Sequence, residues 1–194
     1  MKIVAITGSI GCGKTYISKM IKSLGYSVIN ADKEVSLLYK KRSFLNIIKE
    51  NFPKTFESGS FNKRTLRNIV FNDKNKLKKL EAIVHPLLKR VIKEKIRRMS
   101  VKNDLIFIDA ALIFEMKWDK HCDYIILADV DKNIQKQRVM KRDNITEDDF
   151  NKIVSGQIDN EIKKQKSDFV INTELPDGII LSLLIKYINE VINA

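Results

Sequence analysis

Gly8-Ser9-Ile10-Gly11-Cys12-Gly13-Lys14-Thr15 is the stretch on which the reading of this chain turns. It satisfies G-x-x-x-x-G-K-[ST] in full, the pattern of a loop that wraps a chain of phosphates. Glycine lets the backbone turn tightly and aim successive N–H groups at an anion. A helix opening near Gly13 points the positive end of its dipole at the same place. In this chemistry Lys14 supplies a mobile ammonium for the β- and γ-phosphates of ATP, and Thr15 a hydroxyl for Mg2+. Gly8, Gly11, Cys12, Gly13, Lys14, Thr15 and Tyr16 are the candidate ATP-binding residues, with the N–H groups from Gly11 through Tyr16 expected to line the triphosphate. The alternative is a chance match in a strand–turn–helix, and the context weighs against it. The motif follows the apolar run Lys2-Ile3-Val4-Ala5-Ile6-Thr7 and precedes Ile17, Met20, Ile21 and Leu24, one helical face stopped by Gly25.

Working outward, Ser27-Val28-Ile29-Asn30-Ala31-Asp32 reads as a second strand with an acid at its end. Leu105-Ile106-Phe107-Ile108-Asp109 and Tyr124-Ile125-Ile126-Leu127-Ala128 are unbroken apolar runs, as in central parallel strands covered on both faces. Phe169-Val170-Ile171 predicts a fifth strand and Ile179 to Ile192 a closing helix. The expected fold is α/β, a three-layer P-loop kinase fold with about five parallel strands. Two excursions interrupt it. One, at about 36–102, is a basic helical insertion with apolar stripes at Phe44, Ile47, Ile48, Phe52 and at Leu66, Ile69, Val70; its last helix is expected to restart at Pro86, where a missing N–H is tolerated. The other, at about 133–155, is helical, highly charged and expected to act as a lid. The core is then about 1–35, 103–132 and 156–194, in one domain.

The 194 residues carry 36 Lys+Arg against 24 Asp+Glu, a formal charge of +12. Such a balance suits nucleic acid, an anionic membrane or phosphorylated small molecules. The lysines are spread out and no aromatic residues interleave with them as a stacking platform, so most read as solvated, with no nucleic-acid or membrane partner expected. No apolar run approaches the ~20 residues of a membrane span, and the apolar stretch Ile3 to Ile6 is too short for a signal-peptide core, so a cytoplasmic protein is expected. Cys12 and Cys122, far apart, support neither a disulfide framework nor a zinc site, and two His make no His-rich metal centre.

Among P-loop classes, a regulatory GTPase would show D-x-x-G and N-K-x-D, and neither occurs. A tandem helicase core needs a longer chain. A small-molecule kinase needs an acceptor-binding insertion and an arginine-bearing lid, which the two excursions can supply. Arg138 and Arg142, four apart, share one helical face and can clamp the transferring phosphoryl group and the nucleotide; a solvated basic helix is the alternative. Asp109, ending the third strand, is the candidate acid for Mg2+ beside Thr15. Another P-loop kinase acting on a nucleoside monophosphate or small alcohol remains an alternative, as does an ATP-dependent nucleic-acid-binding protein.

The series of motifs resembles one family, bacterial dephospho-coenzyme A kinase. Val28-Ile29-Asn30-Ala31-Asp32 is similar to its strand ending in D-A-D, with Asn30 in place of the first Asp. Arg64-Thr65-Leu66-Arg67-Asn68-Ile69-Val70-Phe71 and Leu80-Glu81-Ala82-Ile83-Val84-His85-Pro86 resemble two acceptor-domain motifs. Asp109-Ala110-Ala111-Leu112-Ile113-Phe114-Glu115 resembles D-x-P-L-L-F-E, with Ala111 where proline is usual. Gln135, Arg138, Arg142-Asp143, Gln157 and Ser167-Asp168-Phe169-Val170-Ile171 continue the order, while Asn172-Thr173-Glu174 departs from the usual Asn–x–Gly turn near the adenine. The resemblance implies transfer of the ATP γ-phosphoryl group to the ribose 3′-hydroxyl of dephospho-coenzyme A; separately, a monomer or weak homo-oligomer is expected. The resemblance also implies that Asp32 orients the hydroxyl and takes its proton, that Lys14 and Arg138 neutralise charge, and that Arg64 and His85 contact the acceptor. For Asp32 the rival role is a helix N-cap, and for His85 a cap on the helix at Pro86. Cys12 stands where Ser is common. A thiol at a helix N-terminus can have a lowered pKa and be open to oxidation, although an inert small side chain is the favoured reading.

Overall fold

The computed structural model describes residues 1–194. The apolar runs become strands β1 (Lys2–Thr7), β2 (Ser27–Asn30), β3 (Leu105–Asp109), β4 (Tyr124–Asp129) and β5 (Phe169–Asn172) of one five-stranded sheet in the order β2-β3-β1-β4-β5. Every pairing is parallel. Ile6 pairs with Asp109, Asn30 with Asp109, Thr7 with Leu127 and Asp129 with Asn172, so the carboxyl ends of all five strands lie at one edge. β1 is central, and its neighbours on the two sides are reached by separate crossovers. The glycine loop leaves β1 at this reversal of strand order, where ligands of open α/β sheets bind.

The helices, in chain order, are α1 (Lys14–Ser23), α2 (Ala31–Leu38), α3 (Arg42–Asn51), α4 (Lys63–Phe71), α5 (Lys74–Met99), α6 (Lys132–Asp143), α7 (Glu147–Ser155), α8 (Asn160–Gln165) and α9 (Asp177–Asn193). Val4, Ile6, Phe107, Ile126 and Ile171 pack with Ile17 and Ile21 of α1 and with Ile180, Leu184, Ile188 and Val191 of α9. The alternate strand residues Ala5, Ile106, Ile108, Ile125 and Leu127 are equally buried, so both faces of the sheet are covered. That is why these strands read as unbroken rather than alternating apolar runs. None of the helices is long and apolar enough to cross a membrane.

The chain forms two compact units, Met1–Asn30 with Lys95–Ala194, and Ala31–Glu94. The second has its own core of Leu38, Phe44, Ile48, Phe52, Leu66, Val70 and Val84, flanked by Tyr39 stacked on Phe61 at 5.2 Å between ring centroids. The stripes expected from the sequence point inward here, except that Ile47 is exposed.

Two local expectations are corrected. The second strand stops at Asn30, and Ala31 and Asp32 open α2 instead of extending the strand. β3 ends opposite Asn30, so no ladder partner remains, whereas Ala31, Asp32 and Glu34 favour a first helical turn. No helix restarts at Pro86, because α5 runs through it. Val84, Leu88 and Ile92 keep a buried stripe at four-residue spacing across the proline, and that burial outweighs one forgone N–H bond.

A buried ion pair braces the segment after β3. Lys163 of α8, with no exposed side-chain surface, lies 3.1 Å from Glu115 and donates to the Ala111 carbonyl at 3.1 Å. Glu115 also accepts from the Ile158 N–H at 2.9 Å. Removing one partner strands the other charge. Glu115→Ala should therefore cost about 3–5 kcal/mol in urea unfolding, whereas Glu115→Leu combined with Lys163→Met should be close to neutral.

Candidate nucleotide site

Gly13 caps α1 with φ 90°, and the Tyr16 and Ile17 N–H groups bond to its carbonyl, so the helix starts at the end of the loop. Gly13 must stay bare for a second reason: a Cβ there would lie 2.8 Å from the Thr173 methyl. Gly11, at φ +80°, is closed in the same way by Val139 of α6. The loop is thus packed against α6 on one side and the end of β5 on the other, and only glycine satisfies both its backbone angles and its clearances.

Side chains from residues 135–160 hold the first half of the loop. Gln157 accepts from the Ile10 N–H at 3.0 Å, and Gln135 donates to the Ile10 carbonyl at 2.7 Å. Asn160 accepts from the Ser9 N–H at 3.3 Å and from its hydroxyl at 3.2 Å, while its amide donates to Asp129. The Ser9 and Ile10 N–H groups are therefore committed to side chains, and that of Cys12 to the Ser9 carbonyl at 3.3 Å. Beside the loop lies a cavity of about 550 Å³ lined by Gly11, Gly13, Lys14, Thr15, Tyr16, Lys19, Arg138, Arg142, Thr173 and Asp177.

The structure gathers most of the sequence's ATP-side candidates around this cavity. The Lys14 ammonium folds back on the loop, donating to the carbonyls of Gly8 at 2.8 Å and Ser9 at 3.0 Å. Arg138 donates through its two terminal nitrogens to the Thr173 hydroxyl at 2.9 Å and carbonyl at 3.2 Å. Arg142 grips Asp143 through two 2.8 Å bonds, which raise its pKa further. Gly8 and Cys12 do not line the cavity; Gly8 lies behind it and Cys12 is buried beneath. Of the lining residues, Lys19, Thr173 and Asp177 are not among the candidates read from the sequence. Tyr16 and Asp177 face one another, and interaction with that carboxylate pushes the phenol up to about 12.

Asp109 is 3% exposed and accepts at one carboxylate oxygen from Ser18 and from Asn30, both at 2.9 Å. Ser18 lies one helical turn beyond Thr15, so α1 links the exposed Thr15 hydroxyl to the buried carboxylate. Hydroxyl and carboxylate are hard oxygen donors, and Mg2+ takes only one or two protein oxygens when phosphates and water complete its shell. The two residues are donors of the type Mg2+ takes, but Thr15 lines the cavity and Asp109, buried against Ser18 and Asn30, does not.

The acceptor-side candidates all lie in the unit Ala31–Glu94. Asp32 is exposed in the first turn of α2, Arg64 is exposed in the first turn of α4, and His85 is half-buried within α5. Asp32 lies inside its helix rather than at an N-cap. His85 caps nothing, because no helix begins after it.

The lowered pKa considered for Cys12 is corrected. Burial raises it, outweighing the lowering influence of Lys14. Cys122, also raised by burial, reaches about 12. Cys12, buried and protonated, should not react with a thiol-reactive disulfide in the native protein at pH 8, whereas both thiols should titrate after unfolding in guanidinium.

Comparison with known proteins bears on this site as a whole. The family model described as dephospho-CoA kinase matches residues 2–177. A Bartonella quintana dephospho-CoA kinase is 39% identical over 176 residues, 89% of each chain. A solved Thermus thermophilus structure superposes with a TM-score of 0.87 at 26% identity, covering 97% of this chain and 96% of the other. A dephospho-CoA kinase from Campylobacter jejuni does so with 0.65 at 27% identity and the same coverage.

Proposed function

The chain belongs to the dephospho-CoA kinase family, and from that premise we propose that it transfers the γ-phosphoryl group of ATP to the ribose 3′-hydroxyl of dephospho-coenzyme A, giving coenzyme A. The observation that carries the reading is one cavity on which Gly11, Gly13, Lys14, Thr15 and Tyr16 converge with Arg138 and Arg142. Phosphoryl transfer passes through a loose transition state with charge spread over the transferred oxygens, so positioning and electrostatics dominate.

In this mechanism the N–H groups from Gly11 to Tyr16 bind the triphosphate, helped by the positive end of α1. Lys14 exchanges its two loop carbonyls for phosphate oxygens and neutralises developing charge. Arg138 does the same for the group in flight, and Arg142 binds the nucleotide. Thr15 and Asp109 would hold Mg2+, which when bound neutralises phosphate charge. Asp32 orients the acceptor hydroxyl and takes its proton, and Arg64 and His85 contact the acceptor.

The +12 balance suits two polyanionic substrates, so it needs no nucleic-acid partner to account for it. The protein is read as a cytoplasmic monomer or weak homo-oligomer.

A coupled assay of ADP release tests the reading. Dephospho-coenzyme A with ATP and Mg2+ should support turnover that RNA or DNA does not change. Activity that required nucleic acid and ignored dephospho-coenzyme A would overturn it. Lys14→Ala should abolish turnover, a loss of about a thousandfold or more. Asp32→Asn should lower kcat by about a hundredfold or more while calorimetry still finds ATP binding. An unchanged kcat would remove Asp32 from the mechanism.

A further inference from the structure

Thr173 follows β5, in the turn where the sequence departs from the family's Asn–x–Gly pattern, and it touches three parts of the site. Its hydroxyl accepts from Arg138 at 2.9 Å and lies 3.0 Å from the Cys12 carbonyl and 3.3 Å from that of Asp129. One hydroxyl has one proton, and the shorter distance directs it to Cys12. The same oxygen therefore receives from the arginine and gives to the phosphate loop. Its carbonyl accepts a second bond from Arg138 at 3.2 Å, and its own N–H is anchored on Asp129 at 2.9 Å. The residue is buried at 8% exposure, with its side chain seated against Gly13.

We propose that Thr173 is a positioning residue, whose hydroxyl ties the Arg138 guanidinium to the Cys12 end of the phosphate loop and so sets where that charge lies during transfer. Arginine has several rotatable bonds, and an unsupported guanidinium on an exposed helix samples many orientations. Two hydrogen bonds from one residue select one orientation. Because that residue is bonded to the loop, arginine and phosphate cradle keep their register as a unit. A valine of the same shape would fill the space beside Gly13 but could neither accept from Arg138 nor donate to Cys12. The inference rests on the catalytic role proposed for Arg138.

The test compares Thr173→Val, Thr173→Ser, Arg138→Ala and the double variant Arg138→Ala/Thr173→Val in the full-length enzyme with ATP and dephospho-coenzyme A. Losing a hydrogen bond to a charged group should lower kcat of Thr173→Val about tenfold or more, with KM for ATP changing less than about threefold. Thr173→Ser keeps the hydroxyl and should recover kcat to within about threefold of the parent. The double variant should be no slower than Arg138→Ala alone, because two members of one unit are not additive. A parental kcat in Thr173→Val beside a slow Arg138→Ala would overturn the proposal. So would equal losses in Thr173→Val and Thr173→Ser, or full additivity in the double variant. If Thr173→Val is not recovered folded, Thr173→Ala against Thr173→Ser makes the same comparison. Full activity in Arg138→Ala would sink the role of Arg138 itself, which is a different result from a failure at Thr173.

Discussion

Several backbone N–H groups aimed at one point repel one another, since each carries partial positive charge, and within the loop only that of Cys12 finds a carbonyl, at Ser9. The glycine loop keeps its curvature because its surroundings hold it. Gln135 and Gln157 grip the two polar ends of Ile10, Asn160 grips Ser9, and Thr173 takes the Cys12 carbonyl. Lys14 fills the remaining space from inside, its ammonium bonded to the carbonyls of Gly8 and Ser9. The curvature of the loop is therefore set by protein contacts, which lessens the ordering that binding an anion must supply.

That bracing explains the use of the charged segment after β4. Three of the four braces, with Arg138 and Arg142, come from one stretch of chain between residues 135 and 160. Val139 of α6 closes directly over Gly11. A rotation of α6 would move the arginines and disturb the loop together. Lys163 and Glu115 pin the far end of the stretch to the segment after β3, so its attachment is internal at both ends.

The sequence displays the parts of this design that act through local pattern. The glycine loop, the five apolar strands and the arginine pair at four-residue spacing each carry their signature in consecutive or periodic residues. What it hides acts across the fold. Asn160 is an unremarkable polar residue until β1 and α8 bring it to Ser9, and Lys163 looks like any solvated lysine until Glu115 meets it. Thr173 sits at the carboxyl end of a strand, and the topology alone could have marked it, since that edge of the sheet holds the site. Competing local preferences account for the misread boundaries. Pro86 is a good helix starter and a poor interior residue, and the buried stripe on either side of it decided the matter.

Cys12 shows how far burial can override a local field. It precedes α1 by two residues, where a helix dipole and the Lys14 ammonium both favour a thiolate. It is nonetheless 1% exposed beneath the loop, and desolvation prevails. The same geometry makes this a suitable place for a neutral side chain. A thiolate under the loop would compete with the phosphates for the N–H groups and for Lys14, whereas a protonated thiol leaves the whole positive potential to the cavity above. Burial at this position thus keeps a titratable group neutral beside the phosphate loop.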